Sequence, residues 1–250
     1  MPHFFIKSEN KTDNIIKIED KENYRHIAKS LRAKTGEKIL LIDENKVQYE
    51  CLIKEITSKE ISAEIVSEYP SRRFLNFNLY LAQSPLRSEA QSIIMEKATE
   101  LGVKGVYPIY TDNCALNKSV IGKKIEKWQK TMYEASKQCE RAEIPSCHDL
   151  TDIKTLYDSK KFNHIIAFCE RLSKLTLREY IEKTSDIFNQ NNNVLIIIGP
   201  EGGFSEKEFK YFRDNNIPML TLGDLILKAE TAVITALGNI VYEYNYSRQN

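Results

Sequence analysis

The chain has no excess of either charge: 36 lysines and arginines face 35 aspartates and glutamates, a formal net charge of +1 over 250 residues. That balance excludes a global basic field, so any contact with nucleic acid must be a local patch. Even in the first 73 residues, basic side chains outnumber acidic ones only slightly. Long apolar runs are missing as well. Val194–Ile198 is among the longest, far short of the roughly 20 residues that a membrane-spanning helix needs. The opening MPHFFI stretch lacks the basic start and extended apolar core of a secretory signal. Cys51, Cys114, Cys139, Cys147 and Cys169 form no C-x-x-C pair and leave one thiol over. Free thiols in a reducing compartment fit that count, so the expectation is a cytoplasmic protein with no membrane partner. The four histidines are scattered, and neither H-E-x-x-H nor G-x-S-x-G occurs, so no metal site or hydrolytic triad is expected. His148-Asp149 and His164 read as satisfied core or surface groups. What remains is 42% hydrophobic and 28% charged, the composition of a globular protein with one large or two modest domains.

The chain divides near residues 69–74, at the proline-marked polar stretch Tyr69–Arg73. Before it, Lys38–Asp43, Val47–Glu55 and Glu60–Ser67 alternate as β-strands do, joined by short polar turns. They predict a small antiparallel barrel. Beside it, Arg25, Lys29 and Arg32 fall at i, i+4 and i+7, sharing one helical face while Ile27 and Leu31 turn inward. That face reads equally as a solvated surface or as a phosphate-binding patch.

After the divide, strands expected at 76–83, 105–110, 163–168, 193–198 and 219–222 alternate with helices near 88–101, 123–140, 173–183, 206–215 and 229–243. Such alternation predicts an α/β domain, a mostly parallel sheet with helices on both faces. Ala90, Ile94, Ala98 and Leu101 form one core stripe, with Gly102 placed as the C′ residue. Ile125, Trp128, Met132, Ala135 and Cys139 form another. The last helix is rich in small and branched residues and reads as buried over much of its circumference.

Two strand ends open into glycine turns about twenty residues apart. The first is Val194–Gly203 (VLIIIGPEGG) and the second runs from Leu220 to Ala232 (LTLGDLILKAETA). Glycine lets a ligand approach bare backbone, and two such turns so close together suggest two walls of one pocket. The first is not a P-loop, because no Lys-Ser/Thr follows, and it is not G-x-G-x-x-G. Pro200 fixes φ beside Gly199, Gly202 and Gly203 are free to take positive φ, and Ser205–Glu208 reads as a capping box.

Gly199–Ser205 (GPEGGFS) followed by Leu222–Ala232 (LGDLILKAETA) resembles the RsmE family of the SPOUT superfamily, the 16S rRNA uridine-N3 methyltransferases. Met95–Val103 (MEKATELGV), Glu134–Arg141 (EASKQCER) with Ile144-Pro145, and His26–Arg32 (HIAKSLR) with Gly36 resemble that family's other blocks in the right order. The likeness spans nearly the whole chain.

The resemblance implies a PUA-like, RNA-binding β-barrel over 1–73 and a SPOUT methyltransferase domain over 74–250, with a trefoil knot and a homodimer interface. It implies S-adenosylmethionine as cofactor, held by Gly199, Glu201, Gly202, Leu222, Gly223 and Leu227, with Ile226 as a further apolar wall. Glu201 reads equally as a residue of the turn geometry alone. The substrate implied is a uridine of 16S rRNA in the small ribosomal subunit. Lys228 would stabilise the uridine anion, Glu230 would serve as base or only cap the last helix, and Arg141 would contact RNA or a partner subunit. Arg25, Lys29, Arg32 and Arg87 would meet RNA phosphates.

Three positions depart from the family pattern. Lys228 stands where arginine is usual, and lacks the planar fork. Ser84–Glu89 lacks a Lys-Gly pair, and Thr111–Cys114 lacks an arginine. Two rivals stay open: a SPOUT ribose 2′-O-methyltransferase acting on another RNA, and an RNA-binding dimer without turnover.

Overall fold

In the computed structural model, residues 3–169, 173–184 and 186–248 are described, with Ser88 by its backbone alone. Met1 and Pro2, which open the stretch read above for a secretory signal, lie outside the described residues. The chain forms two compact units. One comprises Met1–Phe74 and Ser136–Glu143; the other comprises Leu75–Ala135 and Ile144–Asn250.

In the first unit, strands β1 (His3–Phe5), β2 (Lys11–Thr12) and β3 (Ile15–Ile18) precede helix α1 (Lys21–Tyr24). Strands β4 (Lys38–Ile42), β5 (Val47–Ile56) and β6 (Ile61–Pro70) follow. They make a six-stranded sheet in the order β1-β4-β5-β6-β3-β2, antiparallel except for β1 beside β4. Alternate residues of β5 and β6 turn inward, and Cys51, Ile53, Ile61 and Ala63 pack with Phe4, Ile16 and Ile27 in one core. Register shifts at Glu50/Cys51 and Ile53/Glu55 bend the long β5–β6 pair.

Asp20 caps α1, accepting from the Asn23 amide at 2.8 Å. The chain then widens into a π-helical turn over Arg25–Ser30, with the Leu31 amide donating to the His26 carbonyl five residues back. This corrects the expected 3.6-residue face. Ile27 is buried as expected, but Leu31 is 44% exposed because the wider turn carries it off the inner face. Arg32 leaves the helix altogether at φ 52°. Arg25, Lys29 and Arg32 are all exposed.

Ser136–Glu143, which the sequence pattern leaves with the C-terminal half, belongs to this unit through charge and backbone contacts. Lys46 pairs with Glu143 at 2.9 Å, Arg73 pairs with Glu140, and the Ala142 amide donates to the Arg73 carbonyl at 3.3 Å.

The second unit is a six-stranded, all-parallel sheet. Its strands are β7 (Asn78–Gln83), β8 (Gly105–Pro108), β9 (Ser146–Cys147), β10 (His164–Phe168), β11 (Asn193–Ile198) and β12 (Met219–Leu220). Their order is β12-β10-β11-β7-β8-β9. The helices are α2 (Ser88–Glu100), α3 (Lys118–Gly122), α4 (Ile125–Gln138, whose last turn joins the first unit), α5 (Ile153–Asp158), α6 (Leu177–Lys183), α7 (Glu206–Asp214) and α8 (Ala229–Ser247).

Strand residues alternate between two cores, one on each face of the sheet. Leu79, Leu81, Val106, Ile196 and Ile198 pack with buried residues of α2, α4 and α8, among them Ile94, Trp128, Met132 and Val233. Tyr80, Ala82, Tyr107, Leu195 and Ile197 pack with Leu156 of α5 and Phe212 of α7. Every residue expected to bury α8 does so, from Ala229 and Ala232 to Leu237 and Ile240. Gly102 ends α2 at φ +89°, and a Cβ there would lie 3.1 Å from the Leu75 side chain. Among the described residues, no helix is long and apolar enough to cross a membrane.

His3 is 4% exposed, and neither ring nitrogen has a hydrogen-bond partner among the described residues. Burial, with the nearby Arg73 charge, lowers its pKa to about 4. The unfolded chain therefore takes up this proton first as pH falls through the ordinary value of 6.5. Stability is complete above that pH and is lost towards pH 4, with a slope of at most about 1.4 kcal/mol per pH unit for one proton. Urea unfolding between pH 7 and pH 4.5 is expected to show this slope, and His3→Leu is expected to flatten it.

Candidate functional site

The carboxyl ends of β10, β11 and β12 open onto one cleft of about 800 Å³ in the second unit. Open parallel sheets bind ligands at this end, because the connecting loops there present free peptide groups. The first wall is the loop from Gly199 to Phe204. The Gly203 amide donates to the Pro200 carbonyl at 2.9 Å, closing a tight turn, and Gly203 takes φ +67°. Gly202 does not share that positive φ. Its need for glycine is spatial, since a Cβ would come within 3.2 Å of the Asn113 side chain. A Cβ on Gly199 would lie 3.3 Å from the ring of Phe204, which packs edge-on against Phe212.

The loop runs straight into α7 through the expected capping box. Ser205 Oγ accepts from the Glu208 amide at 3.2 Å, and Glu208 Oε2 accepts from the Ser205 amide at 2.8 Å. The other oxygen of Glu208 accepts from the Asp112 amide at 3.1 Å, while Ser205 Oγ donates to Asp112 Oδ2 at 2.6 Å. Asn113 Nδ2 donates to the carbonyls of Gly202 and Gly203 at 3.2 and 3.1 Å. At the base of the same segment, the hydroxyls of Thr111 and Ser84 lie 2.7 Å apart, both buried. Thr111–Cys114, noted in the sequence for the arginine it lacks, thus braces the glycine turn. Nothing local marks this, because the partners lie about ninety residues apart.

The second wall follows β12. Thr221 Oγ1 accepts from the Gly223 amide at 3.1 Å and donates to the Gly223 carbonyl at 3.0 Å, holding Gly223 at φ +117°. Leu222 and Leu227 are half-buried and pack on the core beneath, whereas Leu225 and Ile226 are 79% and 58% exposed at the rim. Lys228 is the N-cap residue of α8 at φ −60° and ψ 150°, and its side chain makes no capping bond. Glu230 sits in the first turn of the same helix.

Gly199, Glu201, Gly202, Leu222, Gly223, Leu227, Lys228 and Glu230 all line this cleft, as do Phe168 and Cys169 from the end of β10. Burial pushes the Cys169 thiol up to about 12, so it stays protonated. The β10 contribution was missed because nothing in an apolar strand end marks it as a wall.

The other sequence candidates are placed elsewhere. Arg141 does not line the cleft; it is 7% exposed, in the segment that packs with the first unit, and burial holds its guanidinium below the usual value. Arg87 is exposed and caps α2 by its backbone alone. Arg25, Lys29 and Arg32 lie in the first unit, without ion-pair partners among the described residues. No group of three or more metal-ligating side chains occurs among the described residues.

Comparison with known proteins gives a consistent set of relatives. The family model for the RNA methyltransferase domain matches residues 74–241, and that for the RNA methyltransferase PUA domain matches 18–66. The chain is 25% identical over 225 residues to the Bacillus subtilis ribosomal RNA small subunit methyltransferase E, covering 89% of this chain and 88% of that protein. It is 28% identical over 239 residues to the Aquifex aeolicus protein of the same name, covering 93% and 96%. Among solved structures, a Legionella pneumophila methyltransferase with bound cofactor SAM superposes with a TM-score of 0.82 at 27% identity, covering 96% of each chain. The Neisseria gonorrhoeae ribosomal RNA small subunit methyltransferase E, bound to S-adenosyl methionine, shares the fold with a TM-score of 0.81 at 23% identity and the same coverage.

The bridge from α7 to Asp112 can be measured without any ligand. Glu208→Ala removes half of the capping box and the acceptor for the Asp112 amide, and is expected to destabilise the fold by about 1–2 kcal/mol. Glu208→Gln keeps an acceptor oxygen and is expected to lose less. Urea midpoints of the two variants check this ordering.

Proposed function

The chain belongs to the RNA methyltransferase family, and we propose that it transfers a methyl group from S-adenosylmethionine to N3 of a uridine in 16S rRNA of the small ribosomal subunit. One observation carries this reading: two glycine turns, at the ends of the parallel strands β11 and β12 on either side of β10, face one cleft, and a lysine stands where the second turn enters α8.

The cleft fits the cofactor on its own chemistry. Its walls alternate peptide groups at Gly199, Gly202 and Gly223 with the apolar side chains of Leu222, Ile226 and Leu227. Peptide groups can read adenine edges, ribose hydroxyls and an amino-acid carboxylate, while apolar side chains flank a ring. The first turn is not followed by the adjacent Lys-Ser/Thr pair that a triphosphate would require. Glu201, Glu206 and Glu230 are the carboxylates in this lining, suited to a ligand with cationic groups.

When bound, S-adenosylmethionine supplies an electrophilic methyl group on a cationic sulfur. The residues of this chain then have two tasks. They hold the uracil so that N3 faces the methyl carbon, which accounts for most of the acceleration. They also remove the N3 proton as the new N–C bond forms, since the neutral imide nitrogen is a poor nucleophile. Glu230 is the carboxylate we assign to take that proton. The Lys228 ammonium stabilises the negative charge that spreads to O2 and O4. Arg141, buried away from the cleft lining, receives no step.

The basic groups Arg25, Lys29 and Arg32 of the PUA-like unit, with Arg87, are proposed as contacts to RNA phosphates. The enzyme is further proposed to act in the cytoplasm as a homodimer. Ile93 of α2 and Tyr242 of α8, on two helices that pack together, are 39% and 63% exposed and offer apolar surface for a second copy. The threading of α8 as a trefoil knot belongs to the same proposal.

Mass spectrometry of 16S rRNA from a strain lacking this gene is expected to show one uracil ring without its N3 methyl, restored by the purified enzyme with S-adenosylmethionine. A methyl missing from a ribose instead would overturn the assignment. Lys228→Ala is expected to lower kcat by about a hundredfold, the scale of one lost charge-stabilising donor, with S-adenosylmethionine affinity by calorimetry nearly unchanged. Unchanged turnover would remove Lys228 from the reaction.

A further inference from the structure

We propose that Asn113 is a positioning residue for the cofactor: its side-chain amide clamps the Gly202 and Gly203 carbonyls and so sets the direction of the peptide groups that the glycine turn offers to the cleft. The inference rests on the proposed methyl-transfer reading and extends it to a residue outside the cleft lining.

Both acceptors are backbone carbonyls, so only the NH₂ end of the Asn113 amide can face them, at 3.2 and 3.1 Å. In a planar trans peptide the C=O and the following N–H point in opposite directions. Holding the Gly202 carbonyl therefore aims the Gly203 N–H away from Asn113, where it donates to the Pro200 carbonyl at 2.9 Å. Holding the Gly203 carbonyl likewise aims the Phe204 N–H away from Asn113. One side chain thus orients two consecutive peptide planes of the turn, at Gly202 and Gly203, which carry no side chains to do so.

The clamp is itself held. The Asp112 amide and carboxylate are tied to Glu208 and Ser205 at the start of α7, at 3.1 and 2.6 Å. On the other side, the Cys114 amide donates to the Thr111 carbonyl at 3.1 Å, and Thr111 is fixed by its hydroxyl contact with buried Ser84. The fit also explains Gly202. A Cβ there would press on the Asn113 Cβ at 3.2 Å, so the side chain that holds the two carbonyls would have to shift.

The test compares the full chain with Asn113→Ala and Asn113→Asp. Aspartate has the size of asparagine, so a mere packing role would survive it, whereas a carboxylate facing two carbonyl oxygens cannot donate and is repelled. The first readout needs no cofactor. Amide exchange at Gly203, followed by NMR in glycine-labelled protein with only nine glycines to assign, is expected to speed up several-fold in both variants.

The second readout is calorimetry with S-adenosylmethionine. Affinity is expected to fall about fivefold in Asn113→Ala, the scale of one net hydrogen bond, and further in Asn113→Asp. Turnover at saturating cofactor should change less than affinity. Exchange and affinity within twofold of wild type in Asn113→Asp would overturn the clamp. Failure of the wild-type chain to bind S-adenosylmethionine would overturn the methyl-transfer reading instead, while Gly203 exchange would still report on the clamp.

Discussion

A ligand surface made of peptide groups has no side chains of its own to stiffen it, and the rest of this site follows from that constraint. Glycine is needed where the turn must take φ +67° at Gly203 and +117° at Gly223, and it relieves crowding at Gly199 and Gly202, where a Cβ would lie 3.3 and 3.2 Å from Phe204 and Asn113. Each glycine also adds freedom that a precise recognition surface must lose again. The loss is met by polar side chains from elsewhere. Asn113 holds two carbonyls of the first turn, and Glu208 and Ser205 fix its exit into α7. Thr221 closes the second turn on itself. All these bonds converge at the carboxyl edge of one parallel sheet, whose buried strands supply the rigid base.

How much of this was legible depended on whether the signal was local. The β-α alternation of the second unit and the inward stripes of α2, α4 and α8 repeat over many residues, so the period alone revealed them. The capping box at Ser205 and the αL end of α2 at Gly102 depend on a few adjacent residues and were equally visible. Strands β1, β2 and β3, of two to four residues, are too short to show a period, as are helices α3 and α5 of five and six residues. The π-helical turn after α1 defeated a face drawn at 3.6 residues per turn, moving Leu31 outward and Arg32 off the helix.

The lining of the cleft was legible because its glycines and Lys228 fall in two contiguous stretches. Its support was not. Asn113 and Gly202 are brought together only by the parallel pairing of β7 with β8 and with β11, which puts the ends of all three strands side by side. The segment Ser136–Glu143 teaches the same lesson. Its residues read as the end of a long helix, yet pairs made by Glu140 with Arg73 and by Glu143 with Lys46 tie it to a unit far away in sequence.

Lys228 gives the site a cost that helps to identify it. A helix N-terminus carries partial positive charge, so acidic or hydroxyl side chains stabilise the first turn and a lysine opposes it by some tenths of a kcal/mol. Lys228 occupies the N-cap of α8 without a capping bond, and Glu230 two residues on supplies the favourable charge that the cap residue does not. A fold selected for helix stability alone would place serine or aspartate there. A cation kept at that point, on the rim of a cleft and beside a carboxylate, adds its field to that of the helix end. On the methyl-transfer reading proposed above, the two would reinforce each other at the place where the substrate anion forms, so the residue that weakens the helix cap would strengthen the stabilisation of charge in the cleft.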